Sequence, residues 1–290
     1  MRVGIVGGGE GWHRHQLEAS FIERGVAVNY YPVTQLSTSL VTGSEQVCSG
    51  GKSLLDCRIL MVRTIPGGSL EQIIFRMDVL RRLQDQGLKI YNSPLTIERT
   101  VDKYYTTSLL AAAGLPTPPT VVTEDYHEAM TAFHKLGGDV AVKPLFGSLG
   151  KGIVRVESLD LAYRVFRALT MGNYIYYLQQ FIQHDNWDIR AFVLGDKVLA
   201  AMTREGQGWK TNIALGAKAT WRSLSAQEEQ LALNAAAVLD ADYAGVDLIY
   251  SQDGYLYVLE VNGIPGWQGL QTVCTVDITG AIVDYVLHKG

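Results

Sequence analysis

Cysteine is scarce: Cys48, Cys57 and Cys274 are an odd set of three in 290 residues, with no CxxC spacing. That excludes a disulfide framework and a cysteine-based zinc site and points to a reducing compartment. His13 and His15 flank an arginine with no cysteine nearby, so they add no zinc motif. Charge of one sign is also lacking. The 25 basic and 29 acidic residues give a net charge of −4 without a long single-sign block, which is no footprint for nucleic acid. Long apolar runs are missing too. The charge-free stretch 104–123 is broken by Thr, Ser, Gly and Pro, so no membrane span is expected. The opening MRVGIVGGGEGWHRH has neither the long apolar core nor the small-residue cleavage site of a signal peptide. The expectation is a soluble cytoplasmic protein. What is present, 47% hydrophobic residues, 19% charged, 30 glycines and only 8 prolines, is the composition of a globular α/β chain long enough for two or three domains.

Residues 1–92 alternate strand and helix patterns as an open parallel sheet does. Strands are expected at 3–6, 27–31, 59–62 and 89–91, with helices at 12–24 and 69–86. The second helix opens on the capping box Ser69-x-x-Gln72. Residues 93–172 read as a second unit: a helix over 102–113, the breaker Gly114-Leu115-Pro116-Thr117-Pro118-Pro119, strands at 120–122, 140–144 and 153–156, and helices at 125–136 and 159–170. Residues 173–290 form a third unit, richer in strands (174–181, 188–194, 197–203, 245–250, 255–261), with one helix capped by Ser225-x-x-Glu228 and another over 277–288.

Two glycine loops invite a phosphate reading. Gly7-Gly8-Gly9-Glu10-Gly11-Trp12 follows the first strand, but a dinucleotide fingerprint needs glycine where Trp12 stands. A flexible turn at a sheet edge is the better reading, and a dehydrogenase is disfavoured. Gly147-Ser148-Leu149-Gly150-Lys151-Gly152 is not a Walker loop, because Gly152 replaces its Ser or Thr. As a hairpin between two strands it still folds backbone N–H groups over phosphates, with Lys143 supplying charge from an apolar strand. The plain alternative is an ordinary turn beside a surface lysine; a lysine within an apolar strand weighs against it.

The third site follows from geometry. If Asp253-Gly254 is a two-residue hairpin turn, Gln252 faces Tyr255 and Asp247 lies directly opposite Glu260, with Asn262 on the same face. Facing carboxylates repel unless a cation or shared proton lies between them. Two carboxylates and an amide oxygen suit magnesium, or manganese in its place. The alternative, a rim of solvated acids, sits poorly with the apolar neighbours Val246, Leu248, Val258, Leu259 and Val261. Asp188, Arg190, Arg204 and Lys210-Thr211-Asn212 add charge on or beside strands that neighbour this hairpin.

In order, Asp102-Lys103, Val142-Lys143-Pro144-Leu145 with the 147–152 loop, Gln179-Gln180-Phe181-Ile182, Asp188-Ile189-Arg190, Lys210-Thr211-Asn212, Gly245-Val246-Asp247 and Glu260-Val261-Asn262 resemble the ATP-grasp pattern, and more narrowly the RimK-like α-L-glutamate ligases. The resemblance spans the chain. It implies an α/β and α+β ATP-grasp fold, with a pre-ATP-grasp parallel-sheet domain and two subdomains clasping ATP. It places Lys103 and Lys143 on the phosphates, Gly147, Ser148, Gly150, Lys151 and Gly152 over them, Gln179, Gln180, Phe181 and Ile182 on adenine, and Asp188 near the ribose. Asp247, Glu260 and Asn262 would hold magnesium. Arg190, Arg204, Lys210, Thr211 and Asn212 would face the transferred phosphate and the activated carboxylate, and Arg63 and Asn92 the acceptor.

Such a ligase joins a carboxylate to an amine through an acyl phosphate, which needs positioning and charge neutralisation and no side-chain nucleophile. Its partners are small molecules; similar enzymes are often dimers or tetramers. Two positions depart from the pattern: Gln180 replaces a common acid, and Lys210 replaces a frequent Arg. The tract Gly263-Ile264-Pro265-Gly266-Trp267 resembles glutamate ligases of tetrahydromethanopterin- or methanofuran-type coenzyme synthesis. The expected activity is addition of L-glutamate to such a precursor or to a peptide carboxyl end. The rivals are a ligase for another amino acid or dipeptide, and a nucleotide-binding module without turnover.

Overall fold

The computed structural model describes residues 1–147 and 150–289. The first domain comprises β1 (Arg2–Gly7), α1 (Trp12–Glu23), β2 (Ala27–Pro32), β3 (Leu36–Val41), β4 (Ser44–Ser49), β5 (Lys52–Ser53), β6 (Ile59–Val62), α2 (Leu70–Asp85) and β7 (Lys89–Tyr91). Next come α3 (Pro94–Val101), α4 (Lys103–Ala112), β8 (Thr120–Thr123), α5 (Tyr126–Lys135), β9 (Val140–Lys143), β10 (Val154–Val156), α6 (Leu159–Met171) and β11 (Tyr176–Gln180). The last part holds β12 (Trp187–Leu194), β13 (Lys197–Glu205), β14 (Lys218–Trp221), α7 (Ala226–Val238), β15 (Tyr243–Tyr250), β16 (Leu256–Asn262), α8 (Gln268–Gln271) and α9 (Ile278–Lys289).

β2-β1-β6-β7 form a parallel sheet in that order. Its central strands are buried and apolar over 3–7 and 59–62, as strands covered on both faces must be, and α2 begins with the complete Ser69–Gln72 capping box. The meander β3-β4-β5 is an addition that the alternation of the first domain did not announce. A second sheet, β10-β9-β11-β8, and a third, β14-β13-β12-β15-β16, are antiparallel. β11 was expected to open the third unit. It pairs instead between β8 and β9, in the sheet of the second unit.

One core joins the first and last parts of the chain: Val3, Ile5, Leu17 and Phe21 pack with Phe192, Tyr243, Trp267 and Ile282. Arg24 seals this contact with a two-pronged bond to Asp284 (2.5 and 3.1 Å). The middle subdomain has its own core around Phe133, Phe166, Tyr176 and Leu178.

The hairpin deviates from its expected turn and yet keeps the expected facing of Asp247 and Glu260. Residues 251–255 make the connection, with Ser251 N donating to Tyr255 O, and Tyr250 pairs with Leu256. A bulge at Leu259 then takes up one residue, and Asp247 lies opposite Glu260.

Candidate active site

The site assembles on one face of the third sheet. β12 brings Arg190 opposite Asp247, β16 brings Glu260 opposite Asp247 on its other side, and β13 brings Arg204 opposite Asp188. The result is two arginines and three carboxylates gathered on neighbouring strands, with Asp247 between Arg190 and Glu260. Arg204 grips Asp188 with Nε and Nη2 at 2.7 and 2.5 Å, and Nη2 also lies 2.9 Å from Asp247 Oδ2. Burial works against the charge of Arg204, but Asp247 and Asp188 overcome it and hold its pKa above the ordinary value. Arg190 is pushed down by burial, opposed chiefly by Asp247. Gly245 is needed beneath it: a Cβ there would strike the Arg190 guanidinium.

Arg190 Nη1 stands 3.0 Å from Asp247 Oδ1, yet off-line, so this buried oxygen makes no hydrogen bond. Asn262, in the orientation its neighbours require, donates to Glu260 Oε1 (3.2 Å) and accepts from Arg190 Nη1 (2.8 Å). A buried carboxylate oxygen without a bond, beside a second carboxylate and an amide oxygen, is a donor set that fits a hard divalent cation. Among the described residues no group of three His, Cys, Asp or Glu offers another.

Lys143 faces this row from the middle subdomain. Nζ donates to Gln179 Oε1 at 2.5 Å, and Gln179 is itself oriented by donating to Thr120 Oγ1 (3.0 Å). Burial pushes Lys143 down to about 8, with Glu260 pulling the other way and Lys103 adding to the fall. Lys103, whose Nζ donates to Gly147 O (2.9 Å), is lowered by burial too. Lys103, Lys143, Glu260, Tyr177, Thr106 and Thr107 line one small pocket. Tyr177 lies opposite Lys143 and bonds Thr107 (2.7 Å). The sequence reading passed over Tyr177, although it sits two residues before Gln179 and so on the same strand face. A concavity of about 890 Å³ lies along β7, an edge strand of the first sheet, around Lys89, Asp242 and Lys289, away from this cluster.

Several expected ligand contacts take other roles. Asp188 is 1% exposed and its carboxylate accepts from Arg204 and from Thr211 Oγ1 (2.6 Å), so both Asp188 and Thr211 brace Arg204. Gln179 is 2% exposed and holds Lys143, with its backbone in the ladder to β8 and β9. The backbone N–H groups of Gln180 and Phe181 donate to Pro119 O and Asp139 O, while Ile182 follows them outside the strand. Gly150 adopts φ 70° and a Cβ there would strike the Asn212 amide, so only glycine fits at this point; Lys210 Nζ donates to Ile153 O (2.8 Å) and ties the 210–212 segment to the chain after the glycine loop. Gly147 and Gly152 pack on Pro144, Lys151 is exposed, and Ser148 lies outside the described residues.

Asn92 is corrected most clearly. It is 0% exposed, donates to Tyr243 O (2.7 Å) and Gly263 O (2.6 Å), and accepts from Asp242 N (2.7 Å) and Tyr243 N (3.3 Å). With both its amide hydrogens and its oxygen engaged, it staples the first domain to the open end of the β15–β16 hairpin. Asn92→Ala would leave several buried backbone groups unpaired, at about 1–3 kcal/mol each. The expected result is a loss of roughly 3 kcal/mol or more in urea unfolding, and an unchanged midpoint would refute the staple.

Residues 100–286 match the RimK-like ATP-grasp domain. The chain belongs to the RimK-like ATP-grasp family. It is 32% identical to tetrahydromethanopterin:alpha-L-glutamate ligase of Methanococcus maripaludis over 99% of this chain and 98% of that one. The corresponding ligase of Methanocaldococcus jannaschii is 38% identical over 74% of this chain and 75% of its own. Among solved structures, the ATP-grasp ligase PsnB complexed with minimal precursor, Mg and ADP superposes with a TM-score of 0.75 at 21% identity, covering 99% of this chain and 97% of that one. The ATP-grasp fold and the ATP-dependent glutamate-ligase class expected from the motifs are thus shown, and no helix among the described residues is long and apolar enough to cross a membrane.

Proposed function

We propose that this RimK-like protein joins L-glutamate to the carboxylate of a small coenzyme precursor of tetrahydromethanopterin or methanofuran type, in the cytoplasm, at the expense of ATP. The observation that carries this reading is the row Arg190, Asp247, Glu260 and Asn262 facing Lys143 and Lys103 across one cleft. The likeness to curated glutamate ligases supports the substrates.

Lys143 and Lys103 bind and orient the phosphates, with Ile182 at the adenine edge. Asp247, Glu260 and Asn262 hold magnesium, which neutralises phosphate charge when bound. An oxygen of the acceptor carboxylate attacks the γ-phosphorus, the bond to the β-phosphate oxygen breaks, and ADP leaves. The glutamate amine then attacks the acyl carbon, inorganic phosphate departs with the C–O electron pair, and the amine proton passes to solvent. Arg190 faces the developing charge, while Arg204, fixed by Asp188, keeps Asp247 in place. Gly150, Lys151 and Gly152 with the 210–212 segment cover the intermediate against water.

The test is phosphate release from ATP and magnesium with amino acids crossed against coenzyme precursors and acidic peptides, with mass spectrometry of products. Release that requires L-glutamate and one precursor, with a product heavier by one glutamyl unit, is the expected result. Tight ATP binding that no substrate pair turns over would replace this reading with a nucleotide-binding module.

A further inference from the structure

In the order β2-β1-β6-β7 the connections after β1 and β6 depart in opposite directions, which opens a crevice between the carboxyl ends of these two strands. Small ligands of open α/β sheets bind at such a switch point. Here the crevice carries Gly8 and Gly9 after β1 and Arg63 after β6; Gly9 has φ 152° and open space where a Cβ would project.

Arg63 reaches across it to the last part of the chain. Its guanidinium lies 4.5 Å over the Trp267 ring, Nη2 donates to Pro265 O (2.8 Å), and Nη1 is 3.5 Å from Tyr243 OH. Nε is buried without a hydrogen bond. Arg14, Arg24, Arg155, Arg190 and Arg204 each meet a carboxylate. Among the described residues none lies within 4 Å of Arg63. The neighbouring His13 accepts from Trp267 N (3.0 Å) and Gln268 N (3.3 Å) and is pushed down to about 4 by burial and then by Arg63, so it contributes no charge near neutrality. A half-buried guanidinium without a counter-ion is costly in the free protein and becomes favourable when an anion arrives.

Position decides which anion. Tyr243, Gly245 and Asp247 share one face of β15: Tyr243 meets Arg63, Gly245 lies beneath Arg190, and Asp247 stands at the metal end. At about 3.3 Å per residue, Tyr243 and Asp247 are roughly 13 Å apart along the strand. A group held at Arg63 is therefore too far from the phosphoryl-transfer end to be the carboxylate under activation. We propose that Arg63 binds a second, non-reacting carboxylate of the substrate pair, belonging either to L-glutamate or to an acceptor that ends in two acid groups. This rests on the ligase reading above. The fork of Arg63, held over the Trp267 ring, suits a planar carboxylate better than a lysine would.

The experiment compares Arg63→Gln, which can still donate to Pro265 O, and Arg63→Lys with the wild type in ADP-release kinetics, alongside ADP affinity and a thermal-shift titration with glutarate. The expected outcome is a rise of tenfold or more in one KM, with ADP affinity unchanged. A rise confined to L-glutamate assigns the carboxylate to the amine donor, and a rise confined to the precursor assigns it to the acceptor. Both KM values within twofold of wild type, or a fall in kcat alone, would overturn the proposal. Should the wild type ligate no glutamate, the functional reading fails, and glutarate still tests Arg63: stabilisation of the wild type that Arg63→Gln abolishes supports the site, and equal responses refute it.

Discussion

Glu260→Ala is expected to lower turnover by about a thousandfold or more while the protein stays folded. A thousandfold is about 4 kcal/mol of barrier, the scale of removing one group that neutralises charge in a transition state. Glu260 is half-buried at the pocket and makes no salt bridge within 4 Å among the described residues, so its loss breaks no ion pair and removes only a longer-range charge that favours the protonated form of Lys143. Asp247 is the instructive contrast. Both Arg190 and Arg204 lie within 3.0 Å of its carboxylate, and Asp247→Ala leaves two buried guanidiniums under-compensated, a loss of about 3–5 kcal/mol. Asp247→Ala is thus expected to lose activity and stability together, and Glu260→Ala activity alone. Thermal midpoints and phosphate release measured on the two variants decide the matter, and full turnover in Glu260→Ala would remove the metal assignment.

Lys143→Ala should raise the ADP dissociation constant ten- to a hundredfold and abolish ligation, since a charge-assisted bond contributes about 1.5–3 kcal/mol. The wild type also predicts its own pH dependence. The free protein holds Lys143 at about 8, mainly through burial, and a bound phosphate favours the protonated form and raises that value. Below pH 8 the lysine is already charged and affinity is flat. Between pH 8 and the higher pKa of the complex, binding must take up a proton, so the dissociation constant rises by up to tenfold per pH unit. Calorimetric titration at pH 7, 8 and 9 reads this slope, and Lys143→Ala should flatten it. A slope that persists in the variant would assign the titration to another group.

Much of the cleft was legible because its signals are local. The capping boxes at Ser69 and Ser225 formed as their spacing required, since they involve only residues within one turn. Lys143 drew notice as a lysine in an apolar strand, and the facing of Asp247 and Glu260 followed from strand alternation. That facing survived a wrong turn only because the bulge at Leu259 cancelled the extra loop residue. The meander from Leu36 to Ser53 was missed because its exposed, polar strands bury too little to leave an apolar pattern.

Other assignments depended on partners far along the chain. Asn92 looked like an accessible polar residue at a strand end, and Tyr243 and Gly263, 151 and 171 positions away, turn it into a buried staple. Asp188 and Gln179 looked like ligand contacts until Arg204, Thr211 and Lys143 occupied them. The sequence by itself determined the family, the ATP-dependent chemistry and the charged residues that line the cleft, because residue type and spacing along a strand or loop are local facts. The tertiary structure decided which of those polar groups remain free to meet a substrate, because a hydrogen bond or ion pair formed between distant segments uses up the donor or lone pair that a ligand would need.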